Sequence, residues 1–173
     1  MSVRSHPLRV GIVAGEASGD NLAAGLVKAI RDQLPDTVFE GVAGPRMKEA
    51  GCRSLFPMQE LAVMGLVEVV KHLPRLLSIR RQLRRHFLDN PPDIFIGVDA
   101  PDFNLGLEYD LKRAGIKTLH YVSPSVWAWR KYRMRKIAAS VDCMLTLFPF
   151  EQRFYAQQQL SLIHISEPTR PTT

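Results

Sequence analysis

Short apolar runs alternate along this chain with longer stretches in which apolar residues recur every three or four positions. Leu8-Arg9-Val10-Gly11-Ile12-Val13-Ala14 reads as a strand that stops at Gly15, and Leu22 to Leu34 reads as a helix. The alternation recurs. Val38 to Ala43 is strand-like and breaks at Gly44-Pro45, Ile94 to Val98 ends at Asp99, and Thr118 to Val122 and Cys143 to Leu147 are further apolar runs, with Leu105 to Ala114 reading as a helix. Strands that lack polar alternation are covered on both faces, and alternating them with helices builds a parallel sheet flanked by helices. The pattern therefore predicts an α/β fold with a doubly wound parallel sheet. No repeat of fixed period and no low-complexity segment interrupts it.

The pattern fades after Gln158. Residues 159–173 hold two prolines and three threonines with no helical stripe, and nothing after them completes a further βα unit. Residues 1–158 are thus expected to be the domain, with 159–173 a disordered or artefactual tail. Hydrophobic residues make up 46% and charged residues 23% of the 173, close to folded soluble proteins, which excludes disordered, collagenous and disulfide-scaffold classes. Cys52 and Cys143 are not spaced to clamp a metal or run redox exchange, so two reduced, buried thiols in a cytoplasmic setting are expected, with no metal and no cofactor. Val10 to Ala14 is too short for the apolar core of a signal peptide, and Glu68, Lys71 and Arg75 interrupt the best candidate for a spanning helix. Any membrane contact would be at the surface.

In a doubly wound sheet, ligands sit beyond the carboxyl ends of the strands, which directs attention to three loops. The first is Gly15-Glu16-Ala17-Ser18-Gly19-Asp20, which matches neither the dinucleotide fingerprint nor the P-loop because it has two acids and no lysine. Ser18 or Asp20 can cap the following helix, a role that leaves Glu16 unexplained. The second loop places Asp99 directly at a strand end, with Asp102 and Asn104 within a turn of it. One of Asp102 and Asn104 can cap the next helix, whereas Asp99 comes too early to cap and is suited to accept a proton from a hydroxyl. The third loop, His120 to Arg130, sets Trp127 and Trp129 beside Ser123 and Ser125; the rings fit either a packed core or a lid.

Charge is uneven. The formal net charge is +6, and from Lys71 to His86 the chain carries Lys71, Arg75, Arg80, Arg81, Arg84 and Arg85 with no acid. Leu66, Val67, Val69, Val70, Leu73, Leu76, Leu77 and Leu83 form the apolar side of the same stretch, and Pro74 is expected to start a new helical turn. Such a segment is either an ordinary surface helix packed on the sheet or one that lies in a membrane interface. The second basic stretch, Arg130 to Lys136, reads as a solvated helix face, and acids at the strand ends would repel nucleic acid.

Five blocks taken together resemble the lipid-A-disaccharide synthase family in order and spacing: Val13 to Asp20, Gly41 to Met47, Glu60 to Gly65, Gly97 to Asn104 and His120 to Trp129. The resemblance covers about Leu8 to Gln158. It implies the N-terminal half of a GT-B fold, built on a Rossmann-like sheet, from an inverting glycosyltransferase that needs no metal. The implied reaction joins UDP-2,3-diacylglucosamine to 2,3-diacylglucosamine 1-phosphate (lipid X), giving the β-1,6 lipid A disaccharide and UDP. Asp99 matches the family's essential aspartate, the expected general base. Glu16, Ser18, Asp20, Asp102, Asn104, Ser123 and Ser125 are expected to border the substrate cleft. Val63, Met64, Leu66, Val67, Val69, Val70, Leu73, Leu76 and Leu77 would contact acyl chains or bilayer, at the anionic cytoplasmic face of the inner membrane. If no donor domain accompanies this half, the alternative is a non-catalytic lipid- or nucleotide-binding module.

Overall fold

The computed structural model describes residues 5–62, 66–122, 132–146 and 161–164. Seven strands form one sheet: β1 (Arg9–Ala14), β2 (Val38–Ala43), β3 (Cys52–Pro57), β4 (Ile94–Val98), β5 (Lys117–Tyr121), β6 (Cys143–Thr146) and β7 (Ser161–His164). Their order is β3-β2-β1-β4-β5-β6-β7 and every pairing is parallel. The helices are α1 (Ala17–Gln33), α2 (Pro45–Glu49), α3 (Leu66–Asp89), α4 (Pro101–Arg113) and α5 (Tyr132–Ser140), with a 3₁₀ turn at Met58–Glu60. Strand order reverses between β1 and β4, the switch point at which such sheets open a crevice.

The predicted α/β class and doubly wound parallel sheet are present, because the apolar runs are buried on both faces. Val10, Ile12 and Val13 of β1 and Phe95, Ile96 and Val98 of β4 are all buried. Gly11 lets the layers close: a Cβ there would stand 3.0 Å from both the Phe87 ring of α3 and the Phe95 ring of β4. Those two rings meet edge to face, with centroids 5.5 Å apart. α3 joins this core through Ile79, Leu83 and Phe87, while Val70, Leu73 and Leu77 on its earlier turns stay 67%, 44% and 41% exposed.

Four elements differ from expectation. The stretch around Pro74 is one continuous helix rather than a new start, with proline inside it. Proline removes the partner of the Val70 carbonyl, and both residues face solvent, where water can satisfy that group. β3 and α2 go beyond the predicted elements. Within the segment expected to be a tail, Ser161–His164 pairs in register with Cys143–Thr146 as β7. The two cysteines are free thiols, with Cys52 buried and its pKa pushed up to about 12 by that burial.

Candidate functional site

At the switch point the ends of β1 and β4 carry the Glu16 and Asp99 loops. α1 starts at Ala17 and its preceding residue, Glu16, is extended (φ −153°, ψ 170°), so Ser18 and Asp20 sit inside the first turn rather than capping it. The Ser18 hydroxyl instead donates to Glu16 Oε1 at 2.8 Å. Asp20 turns the other way. It is 3% exposed, and its carboxylate accepts from the Arg46 and Met47 N–H groups, both at 3.0 Å, closing the start of α2. A Cβ at Gly44 would lie 2.4 Å from Asp20 Cγ, so a bare backbone is required for this approach.

The second loop is strained. Asp99 and Ala100 both adopt left-handed backbone, with φ of 51° and 42°. Each such non-glycine residue costs about 1–2 kcal/mol, so neighbouring contacts must hold the turn. The Asp99 N–H donates to the Tyr121 carbonyl at 2.8 Å, and Asn104 Nδ2 donates to the Asp99 carbonyl at 2.9 Å. Asn104 is buried and also reaches the Val13 and Val98 carbonyls at 3.3 and 3.4 Å, tying β1 to β4. Gly15 admits the turn, because a Cβ there would meet Ala100 Cβ at 2.9 Å. α4 then begins at Pro101, which leaves Asp102 in its first turn, where a negative charge complements the helix dipole.

These loops and α3 enclose a cleft of about 700 Å³. Glu16, Ser18, Asp99 and Asp102 line it together with Leu61, Phe103 and the α3 residues Leu73, Leu76, Leu77 and Arg80. The Glu16 carboxyl is a near neighbour of Asp99. Burial raises the Asp99 pKa above the usual carboxylate range, the neighbouring Glu16 carboxyl adds to the rise, and the Ala100 N–H and His120 oppose it. A hydroxyl seated here would meet a carboxylate more basic than a surface aspartate. The leucine wall suits alkyl chains.

The structure thus brings Glu16, Ser18, Asp99 and Asp102 together with Leu73, Leu76 and Leu77, whereas Asp20 and Asn104 are buried supports behind the cleft. Ser123, Ser125, Trp127 and Trp129, together with Val63 and Met64, lie outside the described residues, as do the side chains of Leu66, Val67 and Val69. Two further features carry no local motif. Arg80 lines the cleft. Beneath the Asp99 turn, Glu108 and His120 form a fully buried pair, Oε1 to Nδ1 at 2.7 Å. Among the described residues no helix is long and apolar enough to cross a membrane.

A family model described as lipid-A-disaccharide synthetase matches residues 10–169, past Gln158. A lipid-A-disaccharide synthase from Aeromonas hydrophila is 63% identical over 149 residues, 86% of this chain and 39% of that relative. One from Pseudoalteromonas translucida is 61% identical over 160 residues (92% and 42%), and one from Saccharophagus degradans 56% over 164 (95% and 42%). The chain therefore spans about two fifths of the length of these relatives.

Proposed function

The chain belongs to the lipid-A-disaccharide synthetase family, and on that premise we propose that its cleft is the acceptor side of an inverting glycosyltransferase. The parallel-sheet domain, β7 included, supplies the acceptor side and the general base, as the N-terminal half of a GT-B enzyme. The donor is UDP-2,3-diacylglucosamine and the acceptor 2,3-diacylglucosamine 1-phosphate. Asp99 takes the proton of the acceptor hydroxyl as its oxygen attacks the anomeric carbon. The new C–O bond forms as the bond to the UDP phosphate breaks, and one displacement inverts the centre.

One observation carries this reading: a carboxylate of raised basicity faces a leucine wall within a single cleft. A base is most effective when its pKa lies near the working pH, and Glu16 moves Asp99 in that direction. Ser18 orients Glu16 through the 2.8 Å hydrogen bond. The exposed Val70, Leu73 and Leu77 extend the apolar wall out of the cleft, with basic side chains beside them. That division of faces seats the protein on an anionic bilayer, at the cytoplasmic face of the inner membrane, where diacylated substrates reside.

The test supplies a full-length family enzyme that carries this chain as its N-terminal half, with donor and acceptor in mixed micelles, and measures UDP and disaccharide; the 173-residue chain alone is expected to release no UDP. The expected result is UDP release that requires a diacylated acceptor and does not occur with glucosamine 1-phosphate. Binding of the acceptor with no acceptor-dependent UDP release would replace transfer by the lipid-binding module.

A further inference from the structure

α3 carries five arginines, and of the two with no ion pair among the described residues, Arg80 and Arg81, only Arg80 is withdrawn from the surface. Arg75 pairs with Glu60, Arg84 with Asp110 at 3.4 Å and Arg85 with Asp89 at 3.9 Å. Arg80 has no ion pair and no hydrogen bond among the described residues, although it is half-buried and lines the cleft beside Leu76 and Leu77. Its head group lies on the bare backbone of α4 at Gly106, where a Cβ would be 2.7 Å from Nη1 and 3.2 Å from Cζ. A guanidinium cannot shed its charge, and beside leucines it leaves water without gaining a partner unless an anion arrives.

Position narrows the anion. Asp99 stands just before the start of α4, and Gly106 lies five residues beyond Pro101, which is about 7.5 Å along the helix axis. The acids Glu16, Asp99 and Asp102 line the same cleft and Arg80 is the one cation among its described lining residues, so a ligand presents its hydroxyl to the acids and its own negative charge to Arg80. A phosphate monoester matches the planar, forked donor set of arginine.

We infer that Arg80 binds a phosphate group of the acylated sugar whose hydroxyl meets Asp99 in the same cleft. This rests on the acceptor-site reading and assigns to Arg80 the discrimination between phosphorylated and unphosphorylated acceptors.

The test measures equilibrium binding in neutral detergent micelles of 2,3-diacylglucosamine 1-phosphate and of its dephosphorylated counterpart. The full chain is compared as wild type, Arg80→Gln and Arg80→Lys. Arg80→Gln is expected to weaken the phosphorylated ligand about 10- to 100-fold and the dephosphorylated one by less than about twofold, with Arg80→Lys between. Equal loss for both ligands, or no loss, overturns the inference. Arg80→Lys keeps the charge if Arg80→Gln fails to fold. Flotation with phosphatidylglycerol vesicles separates the two sources of phosphate. Reduced flotation of Arg80→Gln with ligand discrimination intact assigns Arg80 to bilayer headgroups and overturns the inference. A full-length family enzyme carrying this half that discriminates the two ligands without releasing UDP refutes glycosyl transfer while leaving the Arg80 subsite standing.

Discussion

Removing Glu108 should unlock the platform on which Asp99 stands. Glu108 of α4 and His120 of β5 are both 0% exposed and 2.7 Å apart. His120 lies in register with Gly97 of β4, and Glu108 Oε1 fills the space where a Gly97 Cβ would stand, 1.9 Å away. Glu108→Ala strips His120 of its partner inside the protein. Breaking a buried pair from one side costs about 3–5 kcal/mol, and leaving a neutral buried polar group unpaired about 1–3. Burial raises the Glu108 pKa, against the pull of His120, so the lower part of the ionic range applies, about 3 kcal/mol. His120→Ala should cost about the same, whereas Glu108→Leu with His120→Phe together should cost about 3 kcal/mol or less, because no polar group is stranded.

Native-state hydrogen exchange of β4 and β5 amides in the full chain measures each loss. Single losses under about 1 kcal/mol, or single losses that simply add in the double variant, would refute the reasoning. The pH dependence supplies a second check. A carboxyl whose pKa is raised on folding contributes stability that is fully present below its ordinary value, 4.5, and is lost as pH rises through the raised value. Wild-type stability should therefore fall across that window, and Glu108→Gln should flatten the slope.

Three further outcomes are expected. Glu16→Gln removes a neighbouring charge that raises the Asp99 pKa, so the acid limb of kcat/KM should move to lower pH; an unmoved limb would detach Glu16 from the base. Asp20→Ala strands the Arg46 and Met47 N–H groups and should cost about 1–3 kcal/mol in unfolding experiments, with acceptor affinity changed by less than about threefold; a selective loss of affinity would return Asp20 to the substrate site. Lys71, Arg81 and Arg85 changed together to Gln should weaken flotation with anionic vesicles by about 1 kcal/mol per charge, and unchanged flotation would make α3 an ordinary surface helix.

The strands legible in the sequence were those buried on both faces. β1, β2, β4, β5 and β6 read as apolar runs because helices or neighbouring strands cover them. β3 is an edge strand whose Arg53 and Ser54 break the run and whose Pro57 needs no ladder partner, so its sequence resembles a loop. Asp99 was legible because it interrupts an apolar run at its carboxyl end, and Glu16 because neither a capping role nor a nucleotide loop explains it. The cap assignments failed for a shared reason. Backbone at Glu16 and Ala100 turns the chain into α1 and α4 with no side-chain cap, which frees Asp20 to close α2 and Asn104 to hold strand ends. Arg80 looked like one more cation of a basic stretch. Only the packing of α3 on Gly106 separates it from its neighbours, and only the register of β4 with β5 brings His120 to Glu108.

The central claim is that Asp99 is the base for an acyl-sugar hydroxyl, and Asp99→Asn in a full-length family enzyme carrying this chain as its N-terminal half tests it most directly. The substitution keeps the shape of the side chain and removes its ability to accept the proton. Turnover should fall by at least about a hundredfold, while acceptor affinity stays within about threefold of wild type. Turnover retained at more than a tenth of wild type, about 1.4 kcal/mol or less of lost transition-state stabilisation, would contradict the account.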